Sequence, residues 1–173
     1  LRNKRNSIPY VTSFYKKNWG FCMSENQKKN LKGKKFKVII DSKFKKGFLE
    51  LTHCTFKGKS KKEIFFSSYL CHPSMANNEL SGPAVLTKIA DYVKNIKNKK
   101  FSYRFVVLPE TIGSICYISK FLKILKKNVI CGFNLSCVGD DNSYSHIFSK
   151  ENNTLADQAL GSALINKKNV KNY

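Results

Sequence analysis

One stretch of this chain, residues 68–83, constrains the fold more than any other. An apolar, aromatic-rich segment at 63–71 leads into it, which is typical of a buried strand. Apolar residues at helical spacing follow over 83–97, and Pro83 suits the first turn of a helix. The stretch is therefore predicted to be a strand-to-helix loop that carries a histidine, two amides and a carboxylate. Loops at the carboxyl ends of parallel strands hold the sites of α/β proteins.

Strand and helix patterns alternate from residue 63 to residue 138. The predicted strands cover 63–71, 103–108 and 129–138, and the predicted helices cover 83–97 and 112–127. Such alternation favours an α/β fold with parallel strands joined by right-handed crossovers. The helix over 112–127 has one apolar face, which is expected to pack on the sheet and consists of Ile115, Ile118, Leu122 and Leu125.

The two flanking regions have weaker patterns. Before residue 63, alternating apolar residues predict strands over 35–40 and 48–56, joined as a β-hairpin. An aromatic segment ahead of them is expected to pack the only tryptophan, Trp19, onto the body of the protein. After residue 138, a strand over 144–148 and a capped helix over 154–166 are predicted, and the tail is expected to fray.

The net charge of +21 suggests nucleic-acid binding, but the distribution of charge argues against a specific complex. Residues 1–62 hold 18 Lys and Arg against 3 acids, whereas residues 63–173 hold 14 against 8. The only arginines are Arg2, Arg5 and Arg104. Because base and phosphate recognition favours arginine, the lysines predict only non-specific electrostatic attraction and no specific nucleic-acid partner.

The compartment is predicted from absent signals and from the cysteines. No apolar run reaches the ~18 residues that a membrane span needs, and the basic start of the chain has no apolar region of a signal peptide behind it. The six cysteines form no CxxC pair. They are therefore predicted to be buried thiols in a reducing compartment, which indicates the cytoplasm.

Polar side chains follow each of the three central strands. His72 and residues 77–79 come after the first, Glu110 after the second, and Asp140 with Asp141 after the third. In a parallel sheet all three lie on one edge. A histidine with carboxylates is a ligand set for Zn²⁺ or a similar cation, which lowers the pKa of a bound water to about 7. The pattern indicates metal-assisted hydrolysis.

Each of these residues also has a structural interpretation. His72 could cap a loop, Glu110 could cap the helix that follows it, and Asp140 with Asp141 could form a turn with Asn142. The site interpretation gains its weight from the common sheet edge rather than from any single residue.

Six motifs in the chain resemble those of aminopeptidase-like proteins that are found with polysaccharide-biosynthesis genes. These proteins are in turn similar to the co-catalytic zinc aminopeptidases. The motifs lie at 8–13, 18–22, 71–83, 109–114, 137–141 and 149–154. The resemblance implies a zinc-exopeptidase-like α/β core with a mostly parallel sheet flanked by helices, formed by 1–34 and 61–173. It implies a small β-rich insert at 35–60. It also implies a truncated chain, because members of this family are considerably longer.

The resemblance assigns roles residue by residue. His72 matches the first metal histidine of the zinc aminopeptidases, and Glu110 matches their catalytic glutamate, the general base. Asn78 stands where they have a carboxylate that bridges two metals, and Glu79 beside it is a candidate to take over as ligand. The implied substrate is a peptide or another small molecule with an amide bond.

The chain departs from the zinc aminopeptidases at three positions. Asn78, Thr111 and Asn134 occupy places where those enzymes carry carboxylates. Asp140 and Asp141 remain as candidates to bind a second metal or the free amine of a substrate. Zn²⁺ is thus expected in the full-length protein but weakly bound or absent in residues 1–173, and a last metal histidine is expected after residue 173.

Two functions stay open at this point. One is a metal-dependent aminopeptidase-like hydrolase, and the other is a degenerate, non-catalytic peptidase domain that serves recognition during surface-polysaccharide assembly. His72 together with Glu110 favours the enzyme, and the three departures favour recognition. The pattern makes no prediction of oligomeric state.

Overall fold

The computed structural model of the chain describes residues 4–9, 11, 18–43, 45–73 and 75–173. It divides the chain into two compact units, residues 1–46 and residues 47–173. The motif at 8–13 lies partly outside the described residues, as does Ser74 within the central motif.

Among its described residues, the first unit has one short helix, α1, at Glu25–Asn30. Its start is capped reciprocally, because the Gln27 N–H donates to Ser24 Oγ at 3.1 Å and the Ser24 N–H donates to Gln27 Oε1 at 2.8 Å. Within the described residues 35–43 no strand forms, so the predicted strand at 35–40 is wrong. Trp19 is 68% exposed, and its packing onto the body of the protein stays a prediction.

The second unit is built on a four-stranded sheet. Its strands are β1 (Thr52–Phe56), β2 (Glu63–Tyr69), β3 (Ser102–Leu108) and β4 (Val129–Asn134), in the order β1-β3-β2-β4. Strands β2, β3 and β4 are mutually parallel, as predicted, and β1 pairs antiparallel with β3.

The predicted hairpin does not form, and its second segment instead supplies the edge strand β1 of the four-stranded sheet. Only residues 52–56 of the segment predicted at 48–56 form a strand, and they pair with β3. A strand is stable only where a neighbour completes its hydrogen bonds, and β3 offers a longer apolar partner than 35–40 does. The division of the chain into a core and an insert at 35–60 stays a prediction.

Helices and a second small sheet complete this unit. A π-helical segment, Ala76–Ser81, leads into helix α2 at Gly82–Asn95. The remaining elements are α3 (Ile112–Asn128), β5 (Tyr144–His146), α4 (Leu155–Leu164) and β6 (Val170–Asn172). Strand β6 pairs parallel with β5. The tail that was expected to fray thus contains a strand.

The core lies on both faces of the four-stranded sheet. Phe105 and Val106 are neighbours on β3 and belong to different buried clusters, because successive side chains of a strand face opposite sides. Phe105 packs with Leu86 and Val93 of α2. Val106 packs with Leu108, which is also on β3, and with Tyr117 of α3. Helix α2 therefore packs on one face of the sheet and α3 on the other.

The buried face of α3 differs from the predicted one. Ile115, Ile118 and Leu122 are exposed, whereas Leu125, the fourth predicted residue, packs against the core with Tyr117 and Phe121. Gly113 begins this buried stripe, since a Cβ there would lie 2.9 Å from the Pro109 ring. Several apolar stripes exist on α3, and contact with β3 selects the one that lets the helix start close to the strand end.

The cysteines also differ from the prediction. Five of the six are exposed, and Cys131 is half-buried. Strand β1 is an edge strand, which explains the exposure of Cys54, and Cys71 and Cys137 lie in loops after strand ends. Among the described residues, no helix is long and apolar enough to cross a membrane.

A buried ion pair closes the amino end of the parallel strands. Arg104 Nε–H donates to Glu63 Oε2 at 2.6 Å, and Nη2–H donates to Oε1 at 3.0 Å. Arg104 also donates to the Tyr117 hydroxyl at 3.3 Å. The hydrogen bonds to Glu63 raise the pKa of Arg104 above its usual range, so this guanidinium stays charged although it is buried.

Candidate functional site

The candidate site lies at the carboxyl ends of β2, β3 and β4. The loop after β2 is held against β4 by Gly82, where α2 begins. A Cβ at Gly82 would overlap Ser68 Oγ and the Leu135 carbonyl oxygen, so only glycine allows this approach. The Ser68 hydroxyl donates to that same carbonyl at 2.8 Å. The loop that carries His72 and Glu79 is thereby fixed to the sheet edge.

His72 and Glu110 meet at this edge, one after β2 and one after β3. His72 Nε2 lies 3.3 Å from Glu110 Oε2. Their side chains are 42% and 51% exposed, so both are open to solvent and to a substrate. The convergence predicted for these two residues is found in the structure, whereas their chemical roles stay a prediction.

The backbone directly after Glu110 is strained. Thr111 has φ 57° and ψ −72°, and the Ile112 N–H donates to the Glu110 carbonyl oxygen at 2.6 Å. This is the geometry of a γ-turn of the rare kind, which is costly for a β-branched residue. Strained backbone of this kind clusters at functional sites, where the surrounding structure maintains it.

Glu79 is the buried carboxylate of the site. It is only 1% exposed and lies in the π-helical segment Ala76–Ser81. Its Oε2 accepts the Cys71 N–H, and its Oε1 lies 4.0 Å from Cys71 Sγ. One ligand atom each from Cys71, His72 and Glu79 lies within 4.8 Å of the others. These three residues, here called the 71/72/79 cluster, have the donor types of a zinc site.

Cys71 is the residue of this cluster that sequence reasoning missed. The sequence placed it in an apolar run as a buried thiol, but it is exposed. Its position beside His72 was a usable signal, since two adjacent residues with nitrogen and sulfur donors at a strand end are both near the same edge.

Asn78 has a different environment from Glu79. Its amide nitrogen donates to the Tyr69 hydroxyl at 3.2 Å and contacts Cys137 Sγ at 3.5 Å. Its Oδ1 is buried and has no hydrogen-bond partner in the described part of the chain. A buried oxygen without a partner is costly, so this atom is available to a donor or a cation.

Asp140 and Asp141 follow β4 on the same edge. Asp140 Oδ1 accepts the Asn142 N–H at 2.9 Å, which is the turn foreseen as its structural alternative. Asn77 donates to Asp140 Oδ2 at 3.4 Å, which ties the loops after β2 and β4 together. The hydrogen bond from the Asn142 backbone holds the pKa of Asp140 below its usual range. Asp141 is exposed, and neither aspartate belongs to the 71/72/79 cluster.

Asn134, the third position at which a carboxylate was expected from the resemblance, is the last residue of β4. Its Oδ1 accepts the Ser67 hydroxyl hydrogen at 2.9 Å. The amide thus serves a contact between the ends of β2 and β4, which a carboxylate could also make. Thr111 and Asn134 therefore hold structural positions at the edge.

The mostly parallel sheet with helices packed on both faces defines an α/β domain. Residues 8–173 match the family described as Domain of unknown function (DUF4910). The chain belongs to this family.

Two matches from Clostridium acetobutylicum, a protein sequence and a crystal structure, show that the domain is peptidase-like. One, named "Putative polysaccharide biosynthesis protein with aminopeptidase-like domain", is 41% identical over 140 residues, which cover 81% of this chain and 32% of that protein. A crystal structure described as a "putative peptidase" matches with a TM-score of 0.75 and 35% identity, over 100% of this chain and 41% of the other. The aminopeptidase-like resemblance is confirmed, and the chain spans less than half the length of either relative.

Proposed function

We propose that this domain is part of a metal-dependent, aminopeptidase-like hydrolase of the zinc-exopeptidase fold, which acts on a peptide or amide bond. The observation that carries the proposal is the 3.3 Å contact between His72 Nε2 and Glu110 Oε2 across the ends of two neighbouring parallel strands. A candidate metal ligand and a candidate base are thus side by side and exposed, as an attack by water on a bound amide requires.

The donor set of the edge fits one divalent cation. His72 and Glu79 would hold it, because their donor atoms belong to the compact 71/72/79 cluster. When bound, such a cation supplies Lewis-acid polarisation of the scissile carbonyl. Glu110 accepts the proton of the attacking water, since its carboxylate is exposed and lies beside His72. Asp140, kept ionised by its turn, attracts the free amine of a substrate.

The edge offers fewer charged ligands for a second cation. Asn78, Thr111 and Asn134 bring no negative charge to the positions where the co-catalytic enzymes have carboxylates. Neutral amides bridge two cations poorly. We therefore expect residues 1–173 to hold at most one loosely bound cation and to show no measurable aminopeptidase turnover by themselves.

The second candidate function is recognition without catalysis, in the assembly of a surface polysaccharide. The name of the first Clostridium relative and the three neutral residues favour it. Asn78 and Asn134 both make hydrogen bonds that stabilise the strand ends, which is what a retained but inactive scaffold needs.

Hydrolysis of aminoacyl amides with added Zn²⁺, Mn²⁺ or Co²⁺ separates the two functions. The assay uses residues 1–173 and, alongside, the longest natural chain that contains them, each with a Glu110→Gln control. In the longer chain we expect turnover that the control lowers by roughly 10²–10⁴-fold. Absence of turnover there would support recognition. Turnover by residues 1–173 that vanishes in the control would show that the missing carboxylates are not needed.

A further inference from the structure

Glu79 has an unusual electrostatic environment for a buried carboxylate. It is 1% exposed, it accepts a hydrogen bond from the Cys71 backbone N–H, and the Cys71 thiol lies 4.0 Å away. In the described residues, no lysine or arginine forms an ion pair with it. A buried charge is costly unless it is paired or coordinates a metal. Glu79 thus lacks the positive partner that its burial calls for.

Two further candidate ligand atoms lie near the Glu79 carboxylate. Its carboxylate, a ring nitrogen of His72 and Cys71 Sγ lie within 4.8 Å of one another. In a tetrahedral site with zinc–ligand bonds of about 2.0–2.3 Å, the ligand atoms are roughly 3.3–3.8 Å apart, so binding a cation would draw the cluster together by about 1 Å. The π-helical turn at Ala76–Ser81 is the element that carries Glu79 back toward residue 71, and such turns are frequent at functional sites.

We infer that Cys71 is a third ligand in this cluster, and that the cluster binds a thiophilic divalent cation, Zn²⁺, in preference to Mg²⁺ or Mn²⁺. On binding, a bond forms between Sγ and the cation, and the thiol proton passes to solvent. Thiolate and imidazole select zinc, whereas magnesium and manganese prefer oxygen ligands. The inference deepens the proposed function, since it names the cation and a new ligand for the same site.

The thiol is well placed for this role. Cys71 is exposed, so a cation can reach it from solvent without opening the core. Its backbone N–H already orients the Glu79 carboxylate, which fixes the sulfur and the oxygen relative to each other. Preformed geometry of this kind raises metal affinity, because fewer groups must be ordered on binding.

Cobalt substitution tests the inference directly. The chain, free of metal, is titrated with Co²⁺, and the thiolate-to-cobalt charge-transfer absorption in the near ultraviolet is recorded. We expect one equivalent to produce this band, Zn²⁺ to remove it by competition, and excess Mg²⁺ to leave it unchanged. In Cys71→Ser the band is lost and Co²⁺ affinity falls about tenfold or more. Cys116→Ser, which changes an exposed thiol on α3, keeps both.

A second measurement needs no variant and covers the case in which Cys71→Ser does not fold. Iodoacetamide labelling of the wild-type chain, followed by peptide mapping, should show Cys71 protected by Zn²⁺ while Cys116 is labelled as before. No band in the wild type, a band that survives in folded Cys71→Ser, or labelling of Cys71 unaffected by Zn²⁺ would each overturn the inference.

These results are independent of catalysis. A zinc-protected Cys71 without amide hydrolysis in the longer chain would contradict the proposed hydrolase and leave the ligand assignment standing. Hydrolysis that depends on Glu110, without any thiolate band, would contradict the role of Cys71 and leave the hydrolase standing.

Discussion

Both ends of the parallel strands carry a buried glutamate, and the two are compensated differently. At the amino end, Glu63 accepts two hydrogen bonds from the guanidinium of Arg104, at 2.6 and 3.0 Å. At the carboxyl end, Glu79 accepts a backbone N–H and faces the Cys71 thiol and His72. A carboxylate with a permanently charged partner is structural. A carboxylate that faces a thiol and an imidazole can accept a cation from solution.

The loops at the two ends of the parallel strands also differ in charge. Loops 57–62 and 96–101, at the amino end, carry lysines: Lys57, Lys59, Lys61, Lys62, Lys97, Lys99 and Lys100. Loops 70–81, 109–111 and 135–143, at the carboxyl end, contain acids and no Lys or Arg. Cations and free amines are therefore attracted to the carboxyl end and repelled from the amino end. Most of the net charge of this unit is kept away from the candidate site.

The largest expected effect is at the amino end. Arg104→Met should lower the free energy of unfolding by about 3–5 kcal/mol, because it leaves Glu63 buried without its partner. Urea denaturation measures this change. Adding Glu63→Gln to the variant should recover most of the loss. If Arg104→Met were nearly neutral, Glu63 would not need its counter-charge, and the structural role of this end would be refuted.

The next effect concerns Glu79 and appears only with a cation. At free Zn²⁺ of 100 times the dissociation constant, the wild type should gain about 2.7 kcal/mol of stability, because the cation binds the folded state alone. Glu79→Gln should lose most of this gain, while Glu151→Gln, at an exposed glutamate, should keep it. Thermal denaturation with and without Zn²⁺ gives the comparison. An equal gain in Glu79→Gln would show that Glu79 is as purely structural as Glu63.

A smaller loss is expected from Gly82→Ala, which separates α2 from the strand ends. The new methyl group would overlap Ser68 Oγ and the Leu135 carbonyl, at a cost of about 1–3 kcal/mol. Gly161→Ala is the matched control, since nothing lies within 4 Å of its added Cβ. The control should gain about 0.5–1 kcal/mol from helix propensity. Chemical denaturation of both variants measures the two shifts, and a stable Gly82→Ala would mean that the loop is held loosely.

The smallest effect is at Thr111, and its sign is opposite. Thr111→Gly should raise the free energy of unfolding by about 1 kcal/mol, because glycine adopts φ 57° without the steric cost of a β-branched side chain. Thr87→Gly, inside α2, should instead lower stability. Denaturation midpoints decide between them. A loss in Thr111→Gly would show that the side chain stabilises this turn and that no strain is stored beside Glu110.

Local pattern in the sequence was enough for the central part of the fold. Alternating strand and helix patterns predicted β2, α2, β3, α3 and β4 close to their observed bounds. It follows from parallel order alone that His72 and Glu110, at the ends of two such strands, meet at one edge. These conclusions hold because hydrophobic periodicity and strand order are properties of short segments and their succession.

Only the tertiary structure decided which partner each remaining segment found. The pattern of residues 48–56 marked a strand, but β3 rather than 35–40 pairs with it. On α3 several apolar stripes compete, and contact with β3 buried Tyr117 and exposed Ile115. The approach of Cys71 to Glu79 likewise depends on a π-helical turn and on Gly82 lying against β4. Periodicity states that a face is apolar, whereas close packing across the chain determines which face is buried and which donors come together.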